Sequence, residues 1–160
     1  MNQLLLAIIL SILPITELRA GLPVAVDYAL KNNISVLPVF LLIVLANISV
    51  IFLIFIFLDF LHKEFMRISS YKKVFGFFIA RTRNKAQNVK GKMEIYGYLA
   101  LAFFVAIPLP ATGAWTGCLI AWLLGLDRRK SILAISFGVI IAGIIILIAS
   151  LGFFGLTQLI

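Results

Sequence analysis

The polar positions of this chain are few and bunched. Residues 36–58 form one apolar run interrupted only by Pro38, Asn47 and Ser49. Residues 132–156 form a second run with no charged residue. At a rise of about 1.5 Å per residue, each is long enough for a hydrocarbon core of about 30 Å. The pattern predicts two spanning helices. Neither carries a polar stripe, as expected of a helix facing lipid or wholly buried.

Two other apolar segments, residues 4–13 and 95–107, are too short to span alone. Each runs into a stretch rich in Pro, Gly and Thr, residues 13–23 and 107–117. Proline lacks an N–H and disfavours helix in the residue before it. A further short apolar segment follows each stretch, residues 24–30 and 118–126. The simplest arrangement is two helix–break–helix hairpins that enter the membrane and turn back.

The two breaks align at an offset of 96 residues without a gap. Leu13-Pro14-x-Thr16 matches Leu109-Pro110-x-Thr112, and Gly21 matches Gly117. The match extends through Ser35/Ser131, Leu37/Leu133 and Ala46/Ala142. Weak internal symmetry of this kind is typical of transporter folds. The expected fold is all-α and integral to the membrane, a single domain built as an inverted repeat. Each unit is a re-entrant helical hairpin plus one transmembrane helix. The first unit covers residues 1–60, a basic linker 61–94, and the second unit 95–160. One crossing per unit places the second upside down relative to the first.

Composition agrees. The chain is 63% hydrophobic and 12% charged, where a soluble domain is about 45–50% apolar and about 25% charged. That excess cannot be hidden inside 160 residues, which excludes a soluble enzyme. The net charge of +8 then reads mainly as orientation. Nine of the 14 basic residues lie in 61–94, and Arg128, Arg129 and Lys130 form a second cluster. If the first hairpin opens outside, both clusters are cytoplasmic, as the positive-inside rule asks. The expected location is the cytoplasmic membrane, with a multi-pass topology. The linker mixes bases with aromatic residues, which suggests an interfacial segment on anionic lipid headgroups rather than a nucleic-acid site.

One cysteine and one histidine leave no disulfide framework and no usual metal cluster. Cys118 reads as a small packing residue and His62 as an interfacial one. No nucleophile–base constellation is visible, so neither an enzyme nor a cofactor is expected. Residues 1–20 resemble a signal peptide but lack a positive n-region, and the repeat uses them, so retention is expected.

The chemistry narrows to the breaks. Glu17, Arg19 and Asp27 are charged residues of the first hairpin. A charge at membrane depth is a functional hypothesis by default. In one reading Glu17, with Asp27, carries a proton or cation, because low dielectric disfavours a charged carboxylate. Arg19 then holds an anionic substrate group with its planar fork. In the other, Glu17 and Arg19 neutralise each other as an ion pair, and Asp27 sits at the outer rim. The second tip is uncharged. Thr16, Thr112 and the Gly113 backbone offer hydrogen bonds. Trp115 occupies the position of Arg19 in the repeat, where it contacts a lipid chain or a flat apolar substrate, or only packs. Arg128 and Arg129 bind a lipid phosphate or simply enforce topology.

These two broken motifs resemble the small multidrug export protein family of bacteria and archaea, over nearly the whole chain. That family is similar to the DedA-type membrane proteins. The resemblance implies two opposed re-entrant hairpins and ion-coupled movement of lipids, polyprenyl phosphates among them. Hairpin acids and arginines carry that activity, and Glu17 and Arg19 are their counterparts by position. The second tip departs from the pattern, having neither. Three functions follow as expectations: an ion-coupled transporter or flippase of an amphipathic or lipid-phosphate substrate, a proton-coupled small multidrug exporter, and a non-transporting membrane scaffold. Anionic lipids are the expected partners. Two spanning helices enclose little, so a homo-oligomer is expected.

Overall fold

The computed structural model describes residues 2–65, 92–109 and 112–157. Among these the chain is all-helical, with six α-helices and no strand. They are α1 (Gln3–Ile12), α2 (Glu17–Lys31), α3 (Val36–Phe65), α4 (Lys92–Ala106), α5 (Ala114–Leu123) and α6 (Arg128–Thr157). Most of the basic linker, Pro110 and Ala111 lie outside the described residues. So does the expected interfacial segment.

α3 and α6 are long and apolar enough to cross a membrane. At 30 residues each, they measure about 45 Å. Much of their surface is exposed hydrocarbon, with Leu133 at 71% and Phe137 at 60%. Such exposure suits lipid as the surrounding solvent and not water. The other four helices, of 10 or 15 residues, fall short of a span.

α1 and α2 form an antiparallel hairpin. Gln3 Nε2, at the start of α1, donates to Asp27 Oδ2, near the end of α2, at 2.8 Å. Gly21 seats the two helices together: a Cβ there would stand 2.7 Å from the Ala7 carbonyl oxygen. Small residues allow such close approach where helices pack in lipid. α4 and α5 also run antiparallel. The Asp127 N–H, beyond the end of α5, donates to the Tyr98 hydroxyl of α4 at 3.0 Å. Gly117 plays the part of Gly21, since its Cβ would meet Val105 Cγ2 at 2.7 Å. α4 leans mainly on α6, however, because Gly138 admits the Ala102 carbonyl, which a Cβ would approach to 2.6 Å.

The breaks are shorter than the composition suggests. The first is only residues 13–16, and α2 starts at Glu17 with Pro23 inside it. A proline there deprives the Arg19 carbonyl of its helical donor, yet burial of Leu18, Leu22 and Val26 keeps the helix continuous. The second arms also differ in length, 15 residues in α2 and 10 in α5. The gapless register therefore does not persist beyond them. Val36 opens α3, whereas Ile132, its counterpart at the 96-residue offset, lies four residues past the start of α6 at Arg128. Each second arm nonetheless ends in a left-handed residue, Asn33 (φ 52°) and Gly125 (φ 63°). In both cases the next N–H bonds back to the helix, Ile34 to the Ala29 carbonyl and Leu126 to that of Ala121. This is the Schellman closure, which satisfies carbonyls left over at a helix end.

α3 links the mouths of the two hairpins. It starts just after Lys31, and near its other end Asp59 meets Trp122 of α5 and Arg128 of α6. The two tips are thus turned towards each other in the middle of the molecule.

Candidate functional site

Both breaks are tied down by their threonines. Thr16 donates through Oγ1 to the Leu10 carbonyl at 2.6 Å, and Thr112 to the Ile107 carbonyl at 2.6 Å. Each hydroxyl satisfies a carbonyl freed where the first arm stops. The tips then hold each other through side chains.

Glu17 is buried, 5% exposed, at the first position of α2. Its φ of 44° lies in the left-handed region, which costs a non-glycine residue about 1 kcal/mol or more. That backbone turn sends the carboxylate across to the start of α5. There Oε1 accepts from the Trp115 N–H at 3.1 Å, and the Ala114 N–H also bonds to the carboxylate. A helix N-terminus leaves such N–H groups unpaired and favours a negative charge. Glu17 therefore caps a helix from the other half of the chain. Gly113 makes the room, because any Cβ there would overlap the Glu17 carboxylate. The Gly113 φ of −91° is open to other residues, so space and not backbone demands glycine.

Arg19 crosses the same gap. Its Nη2 donates to Thr112 Oγ1 at 2.9 Å. Trp115, its counterpart in the repeat, donates in return through Nε1 to the Ile12 carbonyl at 3.0 Å. Arg19 is half-buried, and among the described residues this neutral hydroxyl is its one hydrogen-bond partner. It makes no direct ion-pair contact with Glu17, although the two charges line one cavity and interact across it. A guanidinium has five N–H donors, and most of these remain available.

The structure brings Glu17, Arg19, Thr112, Gly113 and Trp115 together at the tips. Thr16 braces the break behind them. Asp27 stands apart, ten residues or about 15 Å further along α2. At the hairpin mouth it bonds Lys31 Nζ and Gln3 Nε2, both at 2.8 Å. The Lys31 bond, and then that of Gln3, holds its carboxyl below the ordinary aspartate range. Arg128 pairs with Asp59 at 2.8 Å and lies over the Phe55 ring, while Arg129 is exposed.

Asn47 escaped the sequence reading. It is 1% exposed, in the middle of α3. Its Nδ2 donates to the Ser11 carbonyl at 2.7 Å, which fixes the amide orientation because a carbonyl only accepts. Its Oδ1 is buried with no hydrogen-bond partner. Asn47 and Glu17 line the same small cavity of about 10 Å³, close to the room one water needs. A polar residue inside an apolar run was the available signal. Asp59 was missed too, because its partners lie 63 and 69 residues away. Among the described residues no group of His, Cys, Asp and Glu could hold a metal ion.

Broken helices whose tips exchange charged and polar contacts, beside two helices long and apolar enough to cross a bilayer, are the frame of a helical membrane protein. A model of the family described as "Putative small multi-drug export protein" matches residues 17–145, and the chain belongs to that family. The matched region begins at Glu17, just after the first break, and runs through the second tip into α6. The chain matches no curated protein and no solved structure.

Proposed function

We propose that the protein is a secondary transporter of the cytoplasmic membrane, moving an amphipathic anion such as a lipid phosphate, with ion coupling at the hairpin tips. The observation that carries this reading is Arg19, a half-buried cation whose single partner among the described residues is neutral. Guanidinium recognises phosphate and carboxylate with a fixed fork of donors. Glu17, buried beside it, supplies the exchangeable charge that coupling requires.

The membrane arrangement follows from the same parts. Both hairpins are re-entrant, and their tips meet at the midplane between two inverted units. Unwound backbone is tolerated at that depth where protein or a watery cavity satisfies it. Paired breaks in corresponding positions of two halves are where transporters place substrate. The reciprocal donations of Arg19 and Trp115 support the repeat, as do the seats of Gly21 and Gly117. With the Lys31 turn outside, twelve of 14 basic residues lie on the cytoplasmic side. There Arg129 faces headgroups. A homo-oligomer completes the walls that two spans leave open.

The test is translocation of a fluorescent lipid phosphate in proteoliposomes. Wild type moves the probe, and Glu17→Gln and Arg19→Gln each slow it at least tenfold. Rates equal to empty vesicles for wild type and Glu17→Gln alike sink the proposal. The family description favours one second reading, proton-coupled export of cationic drugs. In that case Glu17→Gln abolishes export, and Arg19→Gln raises it by removing a repulsive charge.

A further inference from the structure

Two apolar hollows run along α6 and share Pro108 and Ile145. The larger, of about 780 Å³, lies between α4 and α6, with Phe103 and Phe137 on its walls. The smaller, of about 430 Å³, continues past Pro23 to Phe153 and includes Arg19. Both volumes are in the range of small-molecule sites. From Phe137 to Phe153 the joined furrow follows sixteen residues of α6, about 24 Å, most of a hydrocarbon core. Its lining is hydrocarbon and aromatic, apart from Arg19 and Ser150.

We infer that this furrow is a lateral binding site for the hydrocarbon chain of a lipid whose anionic headgroup sits on Arg19. The inference rests on the transport reading and adds where the apolar half of the substrate lies. A headgroup alone satisfies Arg19 but leaves the furrow empty. A neutral chain fills the furrow but brings Arg19 no anion in direct contact. An anionic lipid does both, and it enters sideways from the bilayer.

A second copy of the chain is the rival occupant, and charge argues against it. Copies in the same membrane orientation place equal residues at equal depth. The acids of this chain are Glu17, Asp27, Asp59, Glu64, Glu94 and Asp127. The other five stand at or near helix ends away from the tips, or just outside them, whereas Glu17 opens α2 at the first tip. Glu17 is 5% exposed and committed to α5. No copy therefore offers Arg19 a carboxylate from across the furrow, and sealing the furrow with one buries the guanidinium with no anion in direct contact, which is costly.

The experiment is photolabelling of the reconstituted protein with a long-chain alkyl phosphate carrying a diazirine in its chain. Labels mapped by mass spectrometry are expected on Phe103, Phe137, Ile141 and Ile145. Excess unlabelled alkyl phosphate should compete, and an alkyl trimethylammonium should not. Arg19→Gln should weaken labelling about tenfold, as for loss of a charge-assisted contact. Ile145→Trp should block the junction and remove labels on one side of it. Ala149→Phe is the second variant, should Ile145→Trp fail to fold. Labels spread evenly over the outward faces of α3 and α6 overturn the inference, leaving annular lipid only. Cross-links between copies across the furrow overturn it in favour of the dimer. A wild type that translocates the probe with diffuse labelling sinks the furrow and spares the transporter. Focused labelling without translocation sinks the transporter and spares the furrow.

Discussion

The contact between Glu17 and Gly113 gives the sharpest test of how the two halves are joined. Gly113→Ala inserts one methyl group where the Glu17 carboxylate sits. The backbone accepts alanine, since φ is −91°, so the whole cost comes from expelling the carboxylate. Expulsion breaks its bonds from Trp115 N–H, now 3.1 Å, and from Ala114 N–H. Hydrogen bonds to a charged group are worth about 1.5–3 kcal/mol each, and partial rebonding recovers some of that. A net loss of about 3 kcal/mol is expected for the single variant. In a Glu17→Ala background there is no carboxylate to expel. The same Gly113→Ala change should then be neutral, or stabilising by about 0.5 kcal/mol through the less flexible unfolded chain. The double-mutant cycle should therefore show a coupling of about 3 kcal/mol, measured by denaturant unfolding of purified protein in mixed micelles. Costs that add to within about 0.5 kcal/mol refute the cap. Equal destabilisation by Gly113→Ala in both backgrounds would place the need for glycine in the backbone instead.

Other outcomes follow from the same contacts. Asn47→Ala removes the bond to the Ser11 carbonyl in a buried site and should cost about 2 kcal/mol in the same unfolding assay. Asn47→Asp should cost more at neutral pH than at low pH, because it puts a second carboxyl beside Glu17. Asp59→Ala should cost about 1–2 kcal/mol, since it frees both Trp122 Nε1 and the Arg128 guanidinium, and Asp59→Asn should recover part of that. Asp27 titrates below the ordinary aspartate range in the folded protein. Its contribution is therefore full above that range and lost as pH falls through the depressed value. Asp27→Asn should flatten the acid side of a melting-temperature profile without slowing transport.

The two spans were legible because nothing but length and uninterrupted hydrocarbon defines them. The breaks were legible as proline clusters, and Glu17 and Arg19 as charges in an apolar setting. What the residues could not display was extent. Pro23 reads as a helix breaker, yet it sits inside α2 because apolar packing of Leu18, Leu22 and Val26 outweighs one missing hydrogen bond. Identity counting at one offset likewise hid the extra residues of α2, since helices tolerate a shift near one turn without changing face. Asn47 and Asp59 are visible as polar residues in or beside an apolar run, but their contacts are not. Their partners are distant in sequence, and a lone polar residue gives no hint of what it will meet.

At the 96-residue offset Glu17 corresponds to Gly113, so the halves are complementary at this point and not alike. One supplies an acid and the other supplies its vacancy. In a transporter of two equivalent inverted halves, the inward-open and outward-open states arise by trading conformations and have equal energy. Here the trade cannot be even, because only α5 has an acid to cap it. If the chain transports as proposed, its resting state favours one orientation by the worth of that cap, and about 3 kcal/mol sets a population ratio above one hundred to one. Reversal needs a partner that binds the rarer state better by at least that margin. The resting orientation, though not the direction of net flux, would thus reside in a single glycine and the carboxylate that fills its place.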